Sequence, residues 1–298
     1  MNEEREKRAG LVVLAGRPNV GKSTLLNALV GEKVSIVTPK PQTTRHRIVG
    51  VLTRGHLQIG FVDTPGLHGG RSNALNRRIN ETTRASLDGV DLALMLVEAD
   101  RWQPDDDAVL EAVRRSRLPV GLVINKIDRL ARAELLLPFI EACSKRHAFD
   151  FFVPMSARRE KQFDPLLKEI EPYVPPADEF LFPEDEFTDR SVKFLIEEAV
   201  REKFMLLLRD ELPYSLSVTA DNVEAGPERI VAHATVWVAR DSHKAIVIGR
   251  GGATLKEAGQ RARLELAARF DTPCELRLHV KLRQNWNESD SALRELGY

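Results

Sequence analysis

Two cysteines in 298 residues, Cys143 and Cys274, stand far apart and form no Cys-x-x-Cys pair. A disulfide framework or a thiolate zinc site is thereby set aside, and both read as reduced packing residues. Apolar runs fall well short of the roughly 20 residues that span a bilayer, and the charged start, Met1 to Arg8, has no signal-peptide core behind it. The chain is expected to stay in the cytoplasm. An excess of charge is missing too, 44 Lys and Arg balancing 44 Asp and Glu, so any polyanion contact has to come from local segments. No internal repeat or low-complexity tract is evident. What is present is 43% hydrophobic residues over a length that suggests about two domains, enough for two cores.

The informative stretch is Gly16-Arg17-Pro18-Asn19-Val20-Gly21-Lys22-Ser23 with Thr24 after it, a Gly-x4-Gly-Lys-Ser loop. Backbone N–H groups of such a loop surround phosphates, Lys22 reaches the β and γ oxygens and Ser23 meets Mg²⁺. Its context fits, with an apolar strand at Leu11 to Ala15 before the turn and a helix at Thr24 to Val30 after it. Leu57 to Val62 reads as a further strand ending on Asp63, from which a carboxylate can hold the magnesium shell, and Gly66 can aim its N–H at the γ-phosphate. Leu92 to Val97 and Leu118 to Ile124 read as buried strands, the second delivering Asn125, Lys126 and Asp128 to the same side of the sheet.

Base choice follows from hydrogen-bond inventory. Guanine presents two donors, N1–H and the exocyclic amine, that the Asp128 carboxylate accepts as a fork, whereas adenine leaves it unpaired. Asn125 ties loops together, the Lys126 stem covers the ring, and Ser156-Ala157-Arg158 closes the site with the Ala157 N–H toward O6. After Asp63-Thr64-Pro65-Gly66 comes Leu67, where a glutamine could have oriented the attacking water. Slow intrinsic turnover is the expectation.

Beyond residue 180 the character changes. Glu171 to Asp189 is rich in proline and acid and reads as an extended linker, giving a nucleotide domain over 1–180 and a second domain over 181–298. From Arg240 to Arg283 ten Lys or Arg face five Asp or Glu. Within it lies Ile246-Val247-Ile248-Gly249-Arg250-Gly251-Gly252, a Gly-x-x-Gly turn between two helices. Glycines there let a nucleic-acid backbone approach, and Arg250 can meet a phosphate. With Val192 to Leu208 as helix and Ser215 to Asn222, Arg229 to Arg240 and Glu275 to Arg283 as strands, the order is that of the second KH type. Lys244, Ile246, Ile248 and Lys256 stand around Gly249 to Gly252, and the resemblance to KH domains implies that this set binds RNA.

The ordered motifs, with Pro41 to Arg47, Phe187-Thr188-Asp189, Ala199-Val200-Arg201-Glu202-Lys203, Trp286 and Leu296-Gly297-Tyr298, resemble the Era-type, translation-factor-related GTPases over nearly the whole chain. The resemblance implies an α/β P-loop GTPase domain with a mixed, mostly parallel sheet, followed by a smaller α+β type II KH domain. It implies that Thr44, with Thr43 as reserve, joins Ser23 and Asp63 at Mg²⁺. It also implies that Asn19 holds K⁺, against its plain role of shaping the loop, so that Lys22, Thr44, Gly66 and Asn19 form the catalytic set. GTP and GDP, 16S rRNA near its 3′ end and the 30S subunit are the implied partners, with peripheral inner-membrane contact and a monomeric chain. His243 and Ala245 depart from the glutamine and glycine more usual in the family, leaving His243 open between structural and functional roles. The competing reading is a GTPase of membrane or cell-cycle coupling whose second domain meets protein or lipid.

Overall fold

The computed structural model describes residues 6–66, 74–209 and 212–298. Described residues divide into two compact units, one drawn from Met1–Ser35, Thr44–Gly70 and Ile79–Asp189, the other from Ile36–Thr43, Arg71–Arg78 and Arg190–Tyr298. The chain runs β1 (Arg8–Ala15), α1 (Lys22–Val30), β2 (Ile48–Arg54), β3 (Leu57–Asp63), α2 (Ala74–Ala85), β4 (Leu92–Glu98), α3 (Pro104–Ser116), β5 (Val120–Asn125), α4 (Leu136–Ser144), β6 (Phe151–Pro154) and α5 (Asp164–Ile170). It continues through α6 (Val192–Leu207), β7 (Leu216–Ala225), β8 (Ile230–Val238), α7 (Asp241–Ile248), α8 (Ala253–Arg269), β9 (Cys274–Leu282) and α9 (Asp290–Glu295).

In the first unit the sheet order is β2-β3-β1-β4-β5-β6, parallel except for β2 against β3. Strands β3, β4 and β5 are apolar and buried almost throughout, as strands covered on both faces must be. Strand order reverses at β1, and in such sheets ligands gather at the carboxyl ends beside that reversal. Those ends carry the glycine loop, Asp63 and Asn125.

The proline-rich segment read as a linker does more than tether. The Phe187 carbonyl accepts the Val51 N–H at 3.0 Å, and the Asp189 N–H and Thr188 hydroxyl donate to the Val49 carbonyl at 3.3 and 2.8 Å. Gln58 holds the Phe182 N–H and carbonyl at 2.9 and 2.8 Å. Edge strand β2 thus has its outer hydrogen bonds partly filled by a strap that prolines keep from extending the sheet.

The second unit holds a three-stranded sheet, β7-β8-β9, antiparallel then parallel. A parallel neighbour requires a crossover, and α7, the glycine turn and α8 supply it. Along β9, Leu276, Leu278, Val280 and Leu282 enter the core with Val200, Phe204, Val236, Val247 and Ala262, while Glu275, Arg277, His279 and Lys281 alternate outward.

Candidate active site and nucleic-acid interface

The phosphate loop is locked by its neighbours. Asn19 stands in the left-handed region at φ 62 and Gly21 at φ 113. A Cβ on Gly21 would lie 2.2 Å from the Asn125 amide nitrogen, which donates to the Val20 carbonyl at 2.8 Å. Only glycine allows that approach. Asn125 Oδ1 in turn accepts the backbone N–H groups of Lys126 and Ala157 at 2.8 and 2.9 Å, so one buried amide joins three loops. The Ala157 N–H, expected to face O6, is spent on Asn125. At Gly66 a Cβ would meet the Pro18 nitrogen at 2.7 Å, fixing how closely this segment passes the loop.

Lys22 is buried, and its ammonium donates to the Gly16 and Arg17 carbonyls at 2.8 and 3.1 Å. Burial lowers its pKa from 10.5 to about 8, against the pull of Asp63 and with a push from Arg17. Asp63, fully buried, accepts on one oxygen the hydroxyls of Ser23 at 2.6 Å, Ser35 at 2.8 Å and Thr44 at 3.3 Å. The Ser23 and Thr44 hydroxyls are 2.9 Å apart. The other Asp63 oxygen, Oδ1, is buried without a hydrogen-bond partner, and burial raises the pKa of this carboxyl despite Lys22 and the hydroxyls. An orphaned carboxylate oxygen among hydroxyls is the all-oxygen donor set that a hard divalent cation takes. Thr43 is occupied elsewhere, its hydroxyl 2.6 Å from that of Thr38 and donating to the Lys40 carbonyl at 2.7 Å.

At the base end the Asp128 carboxylate accepts the Ser156 hydroxyl at 2.6 Å and lies 3.6 Å from Arg159. The Ser156 bond is the main reason its pKa falls below the usual carboxylate range, keeping it an acceptor. Arg158 is exposed, Pro18 and Thr24 are half-buried, and Leu67 lies outside the described residues.

Three residues escaped the sequence reading. Ser35 sits beside Asp63 as above. Glu98, closing β4, pairs with Lys126 and, at 2.7 Å, with Arg17, while Lys126 Nζ also donates to the Asn19 carbonyl at 2.6 Å. Burial pushes the Glu98 carboxyl up, yet the bonds from Lys126 and Arg17 prevail and hold it low. Fully buried Asp106 lies 3.4 Å from Arg17. The signal available for Glu98 was a charge at the end of an apolar strand, level with Asn125 in the register.

The glycine turn of the second unit is the reverse of this enclosure. Gly249, Gly251 and Gly252 have φ of 77, 61 and 79. A Cβ on Gly249 would strike the Thr254 hydroxyl at 2.3 Å, whereas Gly251 and Gly252 face open space. Close backbone approach from outside is therefore available at the last two glycines only. Ile246, Arg250 and Lys256 are exposed, and Lys244 and Ile248 half-buried. His243 Nδ1 lies 3.1 Å from the Ser215 hydroxyl, a structural bond. Trp286 is wholly buried, donates to the Ser215 carbonyl at 3.1 Å and stacks on Tyr298, so no base can reach it.

A glycine loop with its lysine, a carboxylate ringed by hydroxyls and an Asp128 carboxylate kept as an acceptor fit a GTPase, here carrying a KH domain in the same chain. Residues 11–126 match the family described as 50S ribosome-binding GTPase, and residues 211–287 match the KH domain. GTPase Era of Stenotrophomonas maltophilia strain K279a is 43% identical over the full length of both chains. That of Xanthomonas oryzae pv. oryzae strain MAFF 311018 is 44% identical over 98% of this chain and 97% of its own. The chain belongs to the Era family and hydrolyses GTP. Among solved structures it is similar, at TM-score 0.93 and 39% identity over 98% of this chain and 99% of the other, to a variant of Aquifex aeolicus Era bound to GDP·AlF4⁻. Era solved with MgGDPNP and nucleotides 1506–1542 of 16S ribosomal RNA matches with the same values.

Proposed function

We propose that the protein is a GTP-driven switch that binds single-stranded 16S rRNA near its 3′ end through the KH turn and assists maturation of the 30S subunit. The observation that carries this is the likeness, across both units, to Era bound to MgGDPNP and a 16S rRNA fragment. The open glycines beside Arg250 support it, because KH domains clamp about four nucleotides against such a turn.

Mg²⁺ would be held by Ser23, Thr44 and Asp63, and it would neutralise charge building on the transferred phosphoryl group. Thr44 is preferred over Thr43 because its hydroxyl already meets Ser23 and Asp63. Lys22 turns from loop carbonyls to phosphate oxygens, and the Gly66 N–H serves the γ-phosphate. Asn19 is assigned to K⁺, which would supply the positive charge an arginine finger brings elsewhere; faster hydrolysis in potassium than in sodium salt checks it. The same proposal places a monomer in the cytoplasm with peripheral contact at the inner membrane. No described helix is long and apolar enough to cross a membrane.

The test combines two assays at fixed salt. Turnover should drop about 10³-fold in Lys22→Ala, in the range for deleting a key electrostatic stabiliser, and the rRNA tail should bind more tightly to the GTP form than to the GDP form. Equal affinities in the two nucleotide states would sink the switch.

A further inference from the structure

Helix α6 buries four consecutive-turn charges, Glu198, Arg201, Glu202 and Lys203, each under a tenth exposed. Buried charges are costly unless each is matched, so their partners reveal what they are for. Arg201 forks onto both Glu198 oxygens at 2.6 Å. Its Nη2 also donates to the Thr43 carbonyl at 2.5 Å. Glu202 accepts the Val37 N–H at 3.1 Å and pairs with Lys203 at 2.5 Å, and Lys203 reaches Glu265 on α8. Lys40 donates to the Leu208 carbonyl at the end of the same helix. Within the second unit, the segment Ile36–Thr43 is thus held at its start, middle and end by one helix.

The end matters most. The Thr43 carbonyl and the Thr44 nitrogen belong to one planar peptide unit, so an arginine that fixes the first orients the chain entering Thr44. The Thr44 hydroxyl is the one at Ser23 and Asp63.

We infer that Arg201 and Glu202 are positioning residues for GTP hydrolysis, clamping residues 36–43 so that Thr44 is presented to the Mg²⁺ site. The inference rests on Thr44 as a magnesium ligand. Removing Arg201 alone takes the guanidinium away from buried Glu198 and endangers folding, so both charges are removed together in Glu198→Gln/Arg201→Met, a swap that buried pairs often tolerate.

Measured on the full chain without nucleotide, amide hydrogen exchange over residues 36–44 should quicken about tenfold in the double variant, while β7, β8 and β9 keep their protection. The Mg²⁺ concentration giving half-maximal turnover should rise about tenfold with KM for GTP within about twofold, the scale seen when a group that orients a metal ligand is lost. Arg201→Lys should fall between wild type and the double variant. Thr44→Ala should reproduce the Mg²⁺ shift without faster exchange at 36–43. If Thr44→Ala shifts the Mg²⁺ requirement and the double variant changes neither that nor exchange, the clamp is wrong and the magnesium reading stands. If Thr44→Ala leaves the requirement unmoved, both fall.

Discussion

The two recognition elements of this chain are built on opposite plans. In the nucleotide site the polar side chains are bonded to one another, buried Asn125 alone joining three loops and buried Asp63 gathering three hydroxyls. At the KH turn Gly251 and Gly252 present bare backbone flanked by exposed Ile246, Arg250 and Lys256. An enclosed polar site discriminates by what it would leave unpaired, whereas an open backbone platform tolerates many sequences and gains grip from charge.

Breaking the enclosed site should therefore have the larger effect. In Asp128→Asn the fork acceptor becomes partly a donor that cannot accept both guanine N–H groups, and GTP affinity should fall on the order of 10³-fold. Fluorescent-nucleotide titration measures it, and a change under tenfold would mean the base is read elsewhere.

Lys22 sharpens the comparison through pH. Its folded pKa, about 8 without nucleotide, lies below the unfolded 10.5, so the unfolded chain binds more protons between those values and stability rises with pH across that window. Relative to Lys22→Met, the nucleotide-free protein should gain up to about 3 kcal/mol from pH 8 to 10.5. Urea unfolding across that range reports it, and parallel curves for the two proteins would contradict it.

At the open site, Gly252→Asp keeps a residue type that tolerates positive φ while adding bulk and negative charge. Single-stranded RNA binding should weaken at least about tenfold with GTP turnover unchanged in the absence of RNA. A fall in both would mean the turn also supports the fold. The smallest effect is Arg250→Ala, which should weaken binding a few-fold for all sequences and lower the salt slope by about one; sequence-dependent losses would reveal base reading by Arg250.

What the sequence disclosed follows the same division. Lys22, Asp63, Asn125 and Asp128 were legible because their chemistry demands those types at strand ends or in the loops just beyond them, and β3, β4 and β5 because burial on both faces demands largely apolar runs. Ser35, Glu98 and Asp106 were not, since a serine or carboxylate gains meaning only from a partner distant in the chain. The Ala157 N–H was assigned to the base because local sequence cannot show that the Asn125 side chain reaches it first. Gly249 was grouped with its neighbours although its hydrogen makes room for Thr254. The strap along β2 hid behind its prolines, which signal an extended chain but not what it lies against.

That strap has a consequence for the order of synthesis. Phe187, Thr188 and Asp189, which bond to Val49 and Val51, leave the ribosome after every nucleotide-binding residue has been made. About thirty residues separate Arg158 from Asp189, so at 5–20 residues per second the delay is a few seconds. During that interval a nascent chain carries its nucleotide-site residues on a sheet whose groups at Val49 and Val51 still face water, and whatever meets it then finds an adhesive margin that the finished protein has partly covered.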